Sequence, residues 1–313
     1  MELILNLLRL TEEQKQAFLQ AAGEREQIFA PDGVLEGGAA PGEIYRRAAI
    51  VLGNPPVERL KENRVLRLLQ TRTAGLDPYQ QPGVLPEGAV LLSASGAYGQ
   101  SVSEHMFAML LSLMKRLPAY RDQQASGCWS DLGPAKTLAG AQVLCVGTGD
   151  LGSSFCALCK CMGAHTVGVR RDAGKAAPGV DEMHPMEELD ALLAQADVVA
   201  LMLPHTPQTV HVMDRRRLLR MKPDAILLNG GRGTAVDCLA LAQVLEEGHL
   251  WGACLDVTDP EPLPADHPLW RQKRAVLTPH AAGDDHLSIT MDRVAQIALA
   301  NLTAFFNGTL CLK

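Results

Sequence analysis

Three side chains able to do polar chemistry each follow a short apolar run. Arg232 lies in Asn229-Gly230-Gly231-Arg232-Gly233, Glu261 in Leu255-Asp256-Val257-Thr258-Asp259-Pro260-Glu261-Pro262, and His280 in Thr278-Pro279-His280-Ala281-Ala282-Gly283. An arginine is a permanent planar cation that matches a carboxylate. A histidine exchanges its proton near neutral pH. Ligands of parallel sheets bind beyond the C-terminal ends of the strands, so three such residues at strand ends can form one site that polarises a carbonyl and moves a proton. Each has a plainer reading: Arg232 as an ion-pair partner, Glu261 as a solvated residue of an acidic, proline-rich loop, His280 as a structural histidine.

A second signal is Val146-Gly147-Thr148-Gly149-Asp150-Leu151-Gly152, a G-x-G-x-x-G pattern between a strand and a helix. Gly147 permits the tight turn, Gly149 lets backbone approach a diphosphate, and Gly152 lets helix and strand pack closely. The helix start at Asp150 and Leu151 offers free N–H groups and a partial positive charge. The following strand ends at Arg170-Arg171, where a site for NAD usually carries an acid. An arginine there would pair with a 2′-phosphate, which favours NADP over NAD; the alternative is two solvated surface arginines.

These residues need a scaffold, and the apolar pattern supplies one. Strands are expected at Leu3–Leu8, Ala48–Leu52, Val65–Gln70 and Gly88–Ser93, with a helix after Thr11, whose capping box closes on Gln14. A long apolar helix, Ser101–Leu117, is stopped by Pro118 and reads as a domain junction buried between two bodies. Beyond it, strands at Gln142–Val146, Thr166–Val169, Val198–Leu203, Ala225–Leu228 and Gly252–Leu255 alternate with helices at Leu151–Met162, Pro185–Ala196, Asp214–Met221 and Asp237–Glu247. Short apolar strands alternating with helices mean a parallel sheet buried on both faces. A last helix, Ser288–Asn307, is expected to return to the first body.

Composition narrows the classes. The 313 residues carry 29 basic and 35 acidic side chains, a formal charge of −6, which argues against a nucleic-acid binder. The longest strongly apolar stretch, Met106–Met114, is too short to cross a bilayer, so no membrane partner is expected. The N-terminus lacks a basic segment and a cleavage site, so the expected location is the cytoplasm. The eight cysteines, Cys311 among them, are expected as reduced thiols. Cys156, Cys159 and Cys161 read as buried or half-buried small hydrophobes on a helix, and no metal site is expected. Trp129 and Trp270 read as packing residues, and His165, His184 and His267 as surface residues.

The ordered combination of glycine loop, Arg232-Gly233, Leu255-Asp256-Val257 with Glu261-Pro262, and Pro279-His280 resembles the D-isomer-specific 2-hydroxyacid dehydrogenases, which include phosphoglycerate dehydrogenases and glyoxylate/hydroxypyruvate reductases. Leu203-Pro204-His205-Thr206-Pro207-Gln208-Thr209 is similar to the family's loop beside the cofactor, and Ser103-Glu104-His105 to the opening of its junction helix. Departures are Tyr98 where the family often has Asn, Arg170 in place of the acid, and the ending of the loop Ala281-Ala282-Gly283-Asp284-Asp285.

The resemblance implies two α/β domains. A Rossmann-type, doubly wound parallel sheet would bind the cofactor over residues 99–287. A smaller, discontinuous, flavodoxin-like α/β substrate domain would combine residues 1–98 and 288–313. It implies hydride transfer between a nicotinamide cofactor and a small 2-keto or 2-hydroxy acid. His280 would be the general acid, Glu261 would orient it and favour its protonated form, and Arg232 would hold the substrate carboxylate. The backbone at Ala74, Gly75 and Leu76 would cradle that carboxylate, and Tyr98 would shape the pocket. Gly147, Gly149, Asp150, Leu151, Gly152, Arg170, Arg171, Pro204, Thr209, Asn229, Gly230, Asp256 and Gly283 would line the cofactor, Asp256 at the carboxamide. A homodimer through the segment after Pro118 is expected. The alternatives are an NAD-dependent phosphoglycerate dehydrogenase and a non-catalytic, corepressor-like NAD(P)H sensor.

Overall fold

The computed structural model describes residues 2–35, 38–283 and 287–310. Cys311, Asp284 and Asp285 lie outside the described residues. The chain divides into two compact units, Met1–Tyr98 with Asp285–Lys313, and Gly99–Asp284.

The first unit is built on a parallel sheet of β1 (Leu3–Asn6), β2 (Glu26–Phe29), β5 (Ala48–Leu52), β6 (Leu68–Gln70) and β7 (Val90–Leu92), in the order β2-β1-β5-β6-β7. Counting only these five strands along the chain, the order is 2-1-3-4-5, the flavodoxin-like arrangement. Two short strands, β3 (Val34–Leu35) and β4 (Gly38–Ala39), pair antiparallel beside it. Helices α1 (Glu12–Ala22), α2 (Gly42–Arg47), α3 (Val57–Lys61) and α10 (Ser288–Phe306) complete the unit. The capping box at α1 is present: Gln14 N–H donates to Thr11 Oγ1, and Thr11 N–H to Gln14 Oε1. Helix α10 is tied in by Gln14 to Asp292 and by Asn301 to Gln70 (2.9 and 2.7 Å). Leu3, Leu5, Val51, Leu60 and Leu69 form the core.

The second unit is a parallel sheet of seven strands: β8 (Gln142–Val146), β9 (His165–Val169), β10 (Glu182–His184), β11 (Val198–Leu201), β12 (Ile226–Asn229), β13 (Gly252–Leu255) and β14 (Ala275–Leu277). Their order is β10-β9-β8-β11-β12-β13-β14. The chain winds outward from β8 in one direction, then returns and winds outward from β11 in the other. This is the doubly wound Rossmann order, and its switch point lies between β8 and β11. Its helices are α4 (Gly99–Met114), α5 (Leu117–Ala125), α6 (Asp150–Cys161), α7 (Leu189–Leu193), α8 (Arg215–Leu218) and α9 (Cys238–Glu246). Strands β11, β12 and β13 are buried along their whole length, as a sheet covered on both faces requires. Truncating a side chain such as Leu227 or Leu255 in this core costs about 2–5 kcal/mol.

The elements differ from expectation where local contacts override pattern. The junction helix ends at Met114, and Arg116 adopts a left-handed conformation. Pro118 does not stop that helix; it sits in the first turn of α5, where a missing N–H is tolerated. Strand β6 begins only at Leu68, because Asn63 Oδ1 accepts the N–H groups of Val65 and Leu66 and holds them in a turn. Pro185–Ala196 is a short 3₁₀ turn followed by a five-residue α7. The unforeseen β2 and β10 are edge strands with polar residues and partial exposure, so their apolar pattern is weak.

Several side chains also differ. Trp129 is fully exposed (103%) and Trp270 more than half exposed, so neither packs into the core. His267 is buried, caps the turn Pro268–Arg271 by accepting Leu269 N–H, and burial lowers its pKa. Cys156 and Cys159 are buried as expected, but Cys161 is exposed on the outer face of α6. Burial pushes the Cys159 thiol up, which makes it inert. Among the described residues, no helix is long and apolar enough to cross a membrane.

Candidate active site

The glycine loop leaves β8 at the middle of the seven-stranded sheet. Gly147 has φ +96°, and a Cβ there would overlap the Met202 carbonyl at the end of β11. A Cβ on Gly152 would overlap the Gly147 carbonyl, so helix and strand meet only because both residues lack one. Gly149 is different: nothing lies within 4 Å of where its Cβ would stand. Among the described residues, the N–H groups of Asp150, Leu151 and Gly152 donate to no acceptor, as the first turn of a helix dictates. Open space before Gly149 and these aligned donors fit a dinucleotide diphosphate.

At Asp150 the backbone N–H is open and the carboxylate is not. The side chain turns toward the start of α4, so close to Gly99 that a Cβ on that residue would collide with it. A negative charge is stabilised at that helix N-terminus. Gly147 N–H donates to the Val169 carbonyl (2.8 Å), and Arg170 is the next residue. Arg170 therefore stands at the end of β9 beside the glycine loop, half-buried, with Arg171 exposed. Thr209 Oγ1 accepts Thr206 N–H and donates to the Pro204 carbonyl (2.7 Å), which closes the 204–209 loop on itself.

On the other half of the sheet, β12, β13 and β14 are neighbours, and the loops after them carry Arg232, Glu261 and His280. The segment 229–233 is wedged between two adjacent loops. A Cβ on Gly233 would overlap the Thr258 carbonyl after β13, so the absence of one lets this segment lie directly against the loop that carries Glu261. Asn229 is fully buried; its side chain donates to the Arg232 carbonyl (2.9 Å) and accepts Gly231 N–H (3.2 Å). Its amide thus shapes the turn under Arg232. Gly230 lies against Met106 of α4. Arg232 is half-buried, with Nη1 on the Gly231 carbonyl.

His280 Nδ1 and Glu261 Oε1 are 2.6 Å apart, and both side chains are nearly half exposed. A carboxylate only accepts, so Nδ1 carries a proton and Nε2 is the atom left to give or take one. His280 has φ +54°, a left-handed conformation that costs a non-glycine residue about 1–2 kcal/mol. Such strain persists only where neighbours determine the backbone. Here Asp256 does so: its carbonyl accepts His280 N–H (2.7 Å), and its carboxylate accepts Ala281 and Ala282 N–H (2.9 and 3.1 Å). Asp256 is 3% exposed, with its carboxylate turned to this loop. Gly283 is the last described residue of the loop.

Two residues with no role in the sequence reading complete this cluster, Thr278 and His105. Thr278 Oγ1 lies 2.6 Å from Asp256 Oδ1 and 3.0 Å from His105 Nε2. The only signal for them was their place in the quoted motifs, because a buried hydrogen-bond chain leaves no periodicity.

In the first unit, the loop after β6 is fixed by Asn54, which accepts Arg72 N–H and donates to Thr73 Oγ1. Among the described residues, the N–H groups of Ala74, Gly75 and Leu76 donate to nothing, so the turn offers a row of free donors. Tyr98 is buried, and its hydroxyl donates to the Arg72 carbonyl (2.6 Å), so it braces this loop from beneath.

The chain is similar to known proteins in sequence and in fold. The family model for the NAD binding domain of D-isomer specific 2-hydroxyacid dehydrogenases matches residues 107–282. Glyoxylate/hydroxypyruvate reductase B of Erwinia tasmaniensis is 30% identical over 274 residues, covering 85% of this chain and 84% of that protein. A D-isomer specific 2-hydroxyacid dehydrogenase family protein from Aeromonas salmonicida superposes with a TM-score of 0.84 at 32% identity, covering 100% of this chain and 97% of that one. A D-isomer specific 2-hydroxyacid dehydrogenase from Xanthobacter autotrophicus Py2, solved with NADPH and MES, gives 0.80 at 27% identity, covering 99% and 96%.

Proposed function

The chain belongs to the D-isomer specific 2-hydroxyacid dehydrogenase family, and from that premise we propose that it reduces a small 2-keto acid of the glyoxylate or hydroxypyruvate type, with NADPH preferred over NADH. It is an oxidoreductase acting on CH–OH donors with a nicotinamide cofactor. When bound, the nicotinamide supplies the hydride. The Glu261–His280 pair is the observation that carries the reading of this chain's own residues.

As the keto carbon is reduced, negative charge builds on its oxygen. His280 Nε2 donates a proton to that oxygen while Glu261 holds Nδ1–H and keeps the ring in one orientation. Arg232 binds the substrate carboxylate and disperses the growing charge with its guanidinium. The free N–H groups of Ala74, Gly75 and Leu76 are the second anion-binding element in this reading. The backbone N–H groups of Asp150, Leu151 and Gly152 take the diphosphate, with Pro204, Thr209 and Gly283 in flanking loops. Arg170, with Arg171 beside it, takes the 2′-phosphate, a preference supported by the NADPH bound to the Xanthobacter relative.

The proposal includes a homodimer through the segment after Pro118. Helix α5 buries none of its residues, and Trp129 beyond it touches little of its own chain, so a second copy would cover both. A cytoplasmic location stays part of the reading and is supported by the free thiols of the described cysteines.

The test is a panel of 2-keto acids assayed with NADPH and with NADH. Glyoxylate and hydroxypyruvate should show the highest kcat/KM, with NADPH ahead. A preference for a phosphorylated 2-keto acid would replace this reading with the phosphoglycerate type. Light scattering should give twice the chain mass, reduced to one chain by Trp129→Asp.

A further inference from the structure

We propose that His105, on α4, is a positioning residue that acts through Thr278 and Asp256 to hold the backbone at His280. The proposal rests on the reading of His280 as the proton donor.

The argument starts from the left-handed backbone of His280. Three consecutive N–H groups, of His280, Ala281 and Ala282, converge on Asp256, the first on its carbonyl and the next two on its carboxylate. A buried carboxylate keeps such a grip only while its oxygens stay fixed and satisfied. Oδ1 receives a third donor, the Thr278 hydroxyl at 2.6 Å. That hydroxyl has one proton. Its other neighbours in reach are Met109 Sδ at 3.6 Å, a weak acceptor, and His105 Nε2 at 3.0 Å, which is neutral and farther than the charged carboxylate oxygen, so the proton goes to the carboxylate.

Thr278 Oγ1 must then accept from His105 Nε2, 3.0 Å away. This sets the tautomer of His105, with the proton on Nε2. That nitrogen lies 3.7 Å from Asp256 Oδ1, too far to replace the threonine as a direct donor. The result is a directed chain, from His105 Nε2–H to Thr278 to the Asp256 carboxylate, which in turn accepts the Ala281 and Ala282 N–H groups. Its outer end is on a helix and its inner end is the loop that aims the imidazole. Loss of the outer donor frees Thr278 to rotate, removes its proton from Asp256, and loosens the grip on residues 280–282. Small errors in the aim of a proton donor lower turnover more than they lower binding.

The experiment compares His105→Leu, which removes the donor, with His105→Gln, which keeps an N–H of similar reach. His105→Leu is expected to lower kcat for 2-keto acid reduction about tenfold, with NADPH affinity measured by fluorescence within about twofold of the parent. His105→Gln is expected to recover most of kcat. Hydrogen exchange at the amides of Ala281 and Ala282, read on the free protein, should quicken in His105→Leu and return toward the parent in His105→Gln. In a Thr278→Val background, His105→Leu should add nothing further. Parental kcat and exchange in His105→Leu would overturn the proposal, as would equal losses in both variants or additive losses with Thr278→Val. The exchange readout needs no turnover. If His280→Gln proves fully active while exchange responds as expected, the proton-donor reading fails and the backbone coupling stands.

Discussion

The two halves of the seven-stranded sheet present opposite kinds of candidate site along one edge. Around β8, the loop works by what it lacks: Gly147 and Gly152 have no Cβ to collide with neighbouring carbonyls, Gly149 faces open space, and the donors are backbone N–H groups. Around β12 to β14, the work falls to side chains on backbone that must be held in place. His280 is left-handed, Asp256 restrains it, and Asn229 shapes the turn under Arg232. A backbone site draws its donors from adjacent residues, because helix and turn geometry aim them. A side-chain site needs neighbours from other strands, and it carries strain that those neighbours offset.

The largest contrast is expected from His280→Gln. It should lower kcat about 10²–10⁴-fold while the NADPH dissociation constant, from fluorescence titration, stays near the parental value. Parental turnover would remove the proton-donor assignment. Gly149→Val should do the reverse: a folded protein, because the position is open, with NADPH affinity weakened about tenfold or more and kcat at saturation little changed. If Gly149→Val binds NADPH as the parent does, the backbone half is not the diphosphate site. Arg170→Asp should shift the ratio of kcat/KM for NADPH over NADH by about tenfold toward NADH, with keto acid KM unchanged. An unchanged ratio would leave Arg170 a surface residue.

The smallest effect is on stability in the chemical half. Neutral His267 accepts Leu269 N–H in the loop between Glu261 and β14, and burial lowers its pKa below the usual 6.5. A histidine with a lowered folded pKa stabilises fully above its unfolded pKa. That contribution declines as pH falls through the imidazole range toward the folded value. Urea unfolding at stepped pH should show this loss, and His267→Asn, which caps without titrating, should flatten it. A parallel slope in both proteins would assign the pH dependence elsewhere.

Legibility follows the same division. The glycine loop, the strands Ala48–Leu52 and Gly252–Leu255, and the capping box at Thr11 were readable because each depends on a few adjacent residues. The edge strands β2 and β10 were not, because half-exposed strands carry little apolar signal. Arg232, Glu261 and His280 were recognisable by motif, but the internal hydrogen bonds of the buried Asn229, Asp256 and Tyr98 were not. Trp129 shows the converse, since an aromatic residue suited to a core stands wholly exposed.

Residue order alone was enough to point to alternating strands and helices, the family, a glycine loop of diphosphate-binding type and a candidate chemical trio, because turn chemistry, apolar periodicity and motif spacing are local. Three-dimensional packing decided which polar groups satisfy one another: that Asp256 faces the backbone of His280, that Thr278 links it to a helix some 170 residues earlier, and that Asn229 turns inward. The physical reason is that a buried polar atom must be paired, and its partner is set by which strands and helices become neighbours in the folded sheet.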